Sequence, residues 1–454
     1  MHLYHLAILF YHIFFNGARL FGNSITQEAG QDILCQLVVL LHERGLLSLE
    51  AAFIDGTKIE ANANKYSFVW KKATAQKTEK LLKKIHDELP AKLKEVGIRF
   101  HVPEKIAVRQ LKKLWKRIHT RIKADGIELV SGKGKRKTRL QRLSEWVDQC
   151  LAKLKQYTND IHICGNRNSF SKTDHDATFM HMKEDYMRNG QLKHGYNVNV
   201  ATCSDFIIGS YISSDRNDVH TLIPFMEQLQ KNYEGKNIGS VVVDSGYESE
   251  ENYCWFEAHP ETELYVKPSN HEAAKHRKYR TDISRRENMA YNAQTDTYTC
   301  ANGKLLQKTQ EKKTHTASGL EITTSVYECS ECDGCPLKEK CIRACGSKKP
   351  LEERHKVIYV SKRFARQRQA MEAKISSPKG CLLQVNRSIQ AEGNFAYVKQ
   401  DLDFRRFLLR GSTKVAAEWL LFSLALNILH LHHKIQNRRL GSGLKIPSSF
   451  PAGL

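Results

Sequence analysis

Two short apolar runs, AAFI at 51–54 and VVV at 241–243, each lead straight into an aspartate, Asp55 and Asp244. Runs of this length, bounded by turn residues such as DGT and DSG, predict buried strands, the first spanning Ala51 to Ile54 and ending in Asp55. A strand that ends in a carboxylate delivers charge to the edge of a sheet. Between the two runs, HGYNVNVATCSDFIIGSYIS (194–213) predicts a hairpin turning at Ser204 and Asp205, and DVHTLIPFMEQLQKNY (218–233) predicts a helix. A short helix (249–258) and a strand in TELYVKP (262–268) follow. With two long interruptions set aside, the order is strand, hairpin, helix, strand, helix, strand, helices. That order fits an α/β fold with a mixed central sheet and helices on its faces. Right-handed crossovers place the two acid-bearing strands side by side, with tips close enough to share a divalent cation.

The first interruption, 71–170, is helical and basic. Its segments KTEKLLKKIHDELPAKLKEVG, EKIAVRQLKKLWKRIHTRIKADG and TRLQRLSEWVDQCLAKLKQY each carry an apolar stripe. Residues 71–160 hold 25 Lys/Arg against 10 Asp/Glu, which is most of the net charge of +22. A merely solvated face would mix signs. The one-signed excess, with Lys133, Lys135, Arg136, Lys137 and Arg139 in GKGKRKTRL (132–140), predicts contact with a polyanion. Nucleic acid is the first candidate and an anionic membrane surface the second.

The second interruption, 269–360, is polar, rich in Lys and Cys, and poorly periodic. Helices are expected from 361 to 438, followed by a loop tail at 439–454. Residues 25–48 have helical spacing at Ile33, Leu37, Leu40 and Leu41, with Gly45 as a stop. The apolar LYHLAILFYHIFF (3–15) is shorter than the ~20 residues of a membrane span and lacks a basic flank. It is expected to be a core-facing helix or a damaged start. The apolar helix at 413–434 is expected to pack on the sheet. The expected location is the cytoplasm.

Carboxylates suit Mg²⁺ or Mn²⁺, and a two-metal site needs acids from distant parts of the chain. A third acid stands in RSIQAEGNFAYVKQD (387–401), where Glu392 and Lys399 are two helical turns apart and so share a face. Glu392 completes a metal site on this reading, and Lys399 holds a phosphate. Each acid has a plainer reading. Asp55 and Asp244 are also turn or helix-cap residues, and Glu392 a solvated helix residue. Asp174 and Asp176 in SKTDHDATFM are rivals for the first acid. FRRFLLR (404–410) alternates aromatic and basic residues, so Arg405 and Arg406 are candidates for DNA phosphate or for salt bridges to the core.

Taken in order, FIDGTKIEANA, GYNVNV, VVVDSGYESEENY and RSIQAEGNFAYVKQDLDFRRFLLRG resemble the DDE transposases of bacterial insertion sequences. The similarity is to the group whose RNase H-like core is interrupted by a helical insertion and a Cys-rich segment, and it runs from about residue 45 to 436. The resemblance implies that Asp55, Asp244 and Glu392 are the acidic triad, binding two Mg²⁺ or Mn²⁺ ions. It makes Lys399 the basic residue after the glutamate, sets Arg387 in an R…E…K pattern, and makes Tyr247 the aromatic after the second acid. It implies hydrolysis at the element's ends to free a 3′-OH, then attack of that hydroxyl on target DNA. The partners would be double-stranded DNA and a second copy of the chain, in a nucleoid-associated dimer. Family members carry a further N-terminal helical region that residues 1–24 do not resemble, so a truncated or frameshifted copy is the expectation there. Two other readings stand beside this one: an RNase H-like nuclease without strand transfer, and a remnant that only binds DNA.

CSECDGCPLKEKC places Cys329, Cys332, Cys335 and Cys341 in a C-x2-C-x2-C-x5-C pattern, with Cys345 downstream and Cys300 upstream. Zinc held by four thiolates, a metal-free thiol cluster and an iron–sulfur cluster are the three readings. The size of the chain and the clustering of these cysteines argue against a secreted disulfide framework. Cys35, Cys150, Cys164, Cys203, Cys254 and Cys381 are expected to be buried small apolar residues.

Overall fold

The computed structural model describes residues 26–132, 136–182, 190–343, 349–441 and 444–445, with Glu392 described for its backbone only. Lys133, Lys135, Cys345, the apolar segment at 3–15 and most of the tail lie outside the described residues.

The core is one mixed sheet. Strands β1 (Ala51–Glu60), β4 (Thr178–His181), β5 (Leu192–Cys203), β6 (Phe206–Ser213), β7 (Ser240–Val243) and β8 (Glu263–Val266) run in the order β4-β5-β1-β7-β8, with β6 beside β4 on the outer edge of β5. β5 pairs antiparallel with β4, β6 and β1, whereas β1, β7 and β8 are parallel. This is the mixed α/β sheet expected of an RNase H-like core. The β5–β6 hairpin turns at Ser204 and Asp205, both at positive φ (51° and 72°), which matches the twist of its strands.

Five helices cover the sheet: α1 (Gln27–Glu43), α5 (Leu222–Asn232), α6 (Glu250–Ala258), α7 (Lys362–Ile375) and α8 (Pro378–Ala396). A sixth, α9 (Ser412–Gln436), runs between its two cores. The valines of β7 and Phe53 pack with Leu34, Phe225 and Leu383 in the larger core. On the other side Tyr196, Val198 and Val200, alternate residues of β5, meet Phe395, Phe404 and Trp419. α9 is long and apolar enough to cross a membrane by length and composition, but 67% of its apolar window is buried in the protein. Its hydrophobicity is that of a core helix. In α1 the buried stripe is Gly30, Leu34, Val38 and Leu41, one residue off the predicted one; Ile33 and Leu40 are about half exposed. Gly30 packs against the Leu420 side chain of α9, which lies 3.4 Å from where a Cβ would stand.

The basic interruption is a three-helix arm, α2 (Lys71–Glu95), α3 (Val108–Ala124) and α4 (Arg139–Cys164), with a core of its own. Ile85 and Leu89 of α2, Leu114 and Ile118 of α3 and Val147 of α4 are fully buried there. Lys112, Lys113, Lys116, Arg117 and Arg121 face outward. Where the arm leaves and rejoins the core, β2 (Phe68–Trp70) and β3 (Ser169–Ser171) pair antiparallel.

The Cys-rich interruption differs from its expectation. It holds an antiparallel five-stranded sheet, β9 (Ala290–Asn292), β10 (Thr297–Thr299), β11 (Leu305–His315), β12 (Glu321–Glu328) and β13 (Val357–Val360), in the order β13-β12-β11-β10-β9. In β11 only Leu306 is buried, so the strand lacks the alternation that marks a half-buried one. Cys381 is exposed, and Cys35 and Cys254 are half-buried, unlike the expectation for all three.

The rival acids have structural duties. Asp174, almost fully buried, accepts the Tyr196 hydroxyl at 2.9 Å on both carboxylate oxygens and the Gly411 N–H at 3.2 Å. Asp176 accepts the N–H and hydroxyl of Ser412, at 2.8 and 3.0 Å, at the start of α9. Replacing Asp174 with alanine leaves buried donors unpaired and is expected to lower the unfolding free energy by about 2–4 kcal/mol. Urea denaturation checks this, and a wild-type midpoint would show that water replaces the carboxylate.

Candidate active site

β1 and β7 are parallel neighbours with Ala51 opposite Ser240 and Phe53 opposite Val242. Continued two residues, the same register puts Asp55 level with Asp244. Asp55 lies within β1 and not at its end, as was expected from the sequence: pairing with β5 continues to Glu60, while pairing with β7 stops at Phe53. The aspartate therefore sits where one edge of the strand opens. Asp55 Oδ1 accepts the Gly56 N–H at 2.8 Å, and Asp244 Oδ1 accepts the Gly246 N–H at 2.8 Å. Each carboxylate is thereby held by a backbone N–H close to it in the chain, Asp55 within β1 and Asp244 at the turn after β7.

Both aspartates line a cavity of about 360 Å³, together with Asp218, Arg387 and Lys399. Arg387, on α8, stands 4.0 Å from Asp55 Oδ2, and both side chains are mostly buried. Glu392 lies one and a half turns further along the same helix. α8 ends at Ala396 and passes into a π-helical turn, Tyr397–Asp401, which carries Lys399. The wider turn changes the two-turn spacing drawn from an ideal helix, yet Lys399 still reaches the cavity.

Asp218 is the residue that sequence reasoning missed. It was absorbed into the predicted helix at 218–233, but that helix begins at Leu222 and Asp218 sits in a 3-10 turn before it. The available signal was an acid in the SSDRND connection just after the hairpin. Its Oδ1 accepts the Asn197 Nδ2 at 2.6 Å. Asn197 is fully buried, and its amide oxygen has no hydrogen-bond partner among the described residues.

Gly56 and Gly246 make room for this arrangement. A Cβ on Gly56 would stand 2.9 Å from the Tyr247 hydroxyl, 3.0 Å from Asp218 Oδ1 and 3.2 Å from Asn199 Oδ1. One on Gly246 would stand 3.0 Å from Asp244 Oδ1 and 3.5 Å from Asp218 Oδ2. Tyr247 is fully buried and donates to Asn199 Oδ1 at 2.6 Å, an oxygen that also accepts from Thr221 at 2.8 Å. Burial holds the Tyr247 phenol far above its ordinary pKa, and the charges of Asp218, Asp55 and Asp244 push it the same way against Arg387. Three carboxylates thus converge on one buried hydroxyl.

Residues 299–432 match the family model described as a transposase DDE domain. That stretch is similar to a transposase DDE domain. The match includes Glu392 and Lys399 and begins after Asp55 and Asp244. No curated protein and no solved structure matches the chain. The match supports a function of the transposase type.

The carboxylate set has the hard oxygen donors that the divalent cations of such domains require, and the glycine cradle and the orphaned Asn197 oxygen fit a polar occupant. Among the described residues no group of three or more His, Cys, Asp or Glu already forms a metal's ligand set. The other sequence-predicted cations are dispersed. Lys137 pairs with Glu145 at 2.8 Å, and Arg405 with Asp403 at 2.7 Å. Arg406 donates to the carbonyls of Ala61 and Ala63, at 3.2 and 3.0 Å, which spends its guanidinium on the end of β1. Arg136 and Arg139 are exposed or partly exposed on the arm.

Replacing Gly56 with alanine forces the Tyr247 hydroxyl to move and is expected to cost about 1–3 kcal/mol of stability. Tyr247→Phe removes the nearest clashing atom, so the double variant should be more stable than the sum of the two single effects. Strict additivity in denaturation would disprove the contact.

Proposed function

We propose that this transposase cuts DNA at transposon ends and joins the freed 3′-OH to target DNA, with Asp55, Asp244 and Glu392 as its acids. The observation that carries the reading is the level placement of Asp55 and Asp244 on parallel neighbouring strands, facing a cavity that Arg387 and Lys399 also line. Bound Mg²⁺ or Mn²⁺ would activate the attacking oxygen and stabilise the leaving one. Asp55 in β1 and Asp244 after β7 present hard ligands held by backbone N–H groups, and Glu392 comes from the helix packed against β1. Lys399 and Arg387 offer positive charge to a phosphate entering the cavity. Asp218 is a positioning residue, packed against Gly56 of β1 and Gly246 of the turn after β7. The arm's outward lysines and arginines follow the DNA backbone, a contact without sequence preference.

Asp244→Asn is expected to lower metal-dependent cleavage of the flanking DNA by about two to three orders of magnitude while leaving DNA affinity unchanged. A variant that still cuts at the wild-type rate would remove Asp244 from the site. Strand transfer from a pre-cleaved end separates the transposase from a nuclease that only cuts. Affinity for DNA is expected to fall about a thousand-fold between roughly 50 and 200 mM salt if the arm meets six phosphates, and a flat salt response would rule the arm out.

A further inference from the structure

The five-stranded second sheet has little to hold it together. Its buried cluster comprises Met289, Tyr298, Leu306, Tyr327, Ile358 and Val360 with two cysteines, and β11 is almost wholly exposed. So small an apolar core usually needs a covalent or metal staple. Beside it, Cys300, Cys329, Cys332, Cys335 and Cys341 line one cavity of about 20 Å³, the size of a single atom or water. All five are free thiols, so no disulfide supplies the staple.

We propose that one zinc ion binds here through four of these five thiols, and that it ties the end of β12 to the other cysteine-bearing segments around the cavity. Three observations converge on that site. Cys329 and Cys332 form a C-x2-C turn directly after β12, and backbone donors already point at their sulfurs: Lys356 N–H lies 3.3 Å from Cys332 Sγ, and the Glu331 N–H donates to Cys329. Such N–H···S contacts are ones that a zinc-bound sulfur can accept. Cys300, from the connection after β10, lines the same small cavity as Cys329, Cys332, Cys335 and Cys341, so thiols from separate segments meet at one point. Finally, four thiolates on Zn²⁺ leave a net charge of 2−, and the cavity wall holds Lys304, Lys338 and Lys356. Lys356 is buried, with its ammonium donating to the carbonyls of Cys341 at 3.0 Å and Ser284 at 2.7 Å. No three of the thiols already form a closed ligand set among the described residues, so binding draws them inward around the ion. Zinc uptake on four thiols releases their protons, and no electron is exchanged.

The test uses the full chain, produced with zinc in the medium, purified under reductant and assayed by elemental analysis. About one zinc per chain is expected in the wild type and in Cys381→Ser, a change outside the cluster, and none in Cys332→Ser/Cys341→Ser. Should that double variant fail to fold, cobalt loading of the wild type replaces it, and thiolate-to-cobalt charge-transfer bands with intense tetrahedral d–d bands are expected. A wild type that binds neither zinc nor cobalt, one that holds iron in place of zinc, or a folded double variant that keeps its zinc would overturn the proposal. No DNA enters the measurement, so its failure leaves the reading of Asp55 and Asp244 untouched.

Discussion

The parallel pairing of β1 with β7 is the constraint on which the rest of the site depends. It brings two aspartates, 189 positions apart in the sequence, level with each other. The pairing ends at Phe53, two residues before Asp55, so the sheet parts where the carboxylates stand. β5 keeps its hold on the other edge of β1 as far as Glu60, so opening one edge does not loosen the strand. Pleating then divides the labour. Asp55 is paired with Val200 and shares its face, toward α8, whereas Gly56 is paired with Asn199 and shares the face of Asp218 and Tyr247. A single glycine therefore separates the acid that faces the helix from the polar network that supports it.

Gathering Asp55, Asp218 and Asp244 around a buried phenol is electrostatically unfavourable, because like charges in a poorly solvated setting repel. The fold offsets the cost locally. Backbone N–H groups of Gly56 and Gly246 hold two of the carboxylates, the Asn197 amide holds the third, and Arg387 stands beside Asp55. Glu248 and Glu250, four and six residues beyond Asp244, have other work. Burial alone would raise the Glu248 pKa, but two hydrogen bonds from Arg368 and one from the Ser269 N–H bring it below its ordinary value. Glu250 pairs with Arg363 at 2.7 Å. These two acids bind α7 to the core, and the separation shows why an acid-rich motif cannot be read as one functional unit.

The core sheet was legible because its strands are short apolar runs bounded by turn residues, and the hairpin announced itself through Ser204 and Asp205. Alternation failed where both faces of a strand meet water, as in β11, so the second sheet was invisible. Asp218 was missed for a different reason. A helical pattern spreads backward over any polar residue in front of it, and only the tertiary partner, Asn197, shows that the chain turns first. Lys399 was found by a spacing that assumed an unbroken α-helix, whereas the chain widens into a π-turn at Tyr397. The pairing of Asp174 and Asp176 with the start of α9 depends on contacts more than 230 residues apart in the sequence, which no local pattern encodes.

Those same contacts give the basic arm a route to the active site. The loop that returns from the arm carries Asp174 and Asp176, which grip Gly411 and Ser412. The segment just before them is tied to the end of β1: Phe407 N–H donates to the Glu60 carbonyl at 2.9 Å, Arg406 to Ala61 and Ala63, and Arg410 to Asn62 at 2.7 Å. The arm itself has a separate core and joins through two three-residue strands, so its packing can shift without disturbing the sheet. A short chain of hydrogen bonds therefore runs from the loop that returns from the arm, through Gly411 and Ser412 and the segment before them, into the end of β1, five residues beyond Asp55.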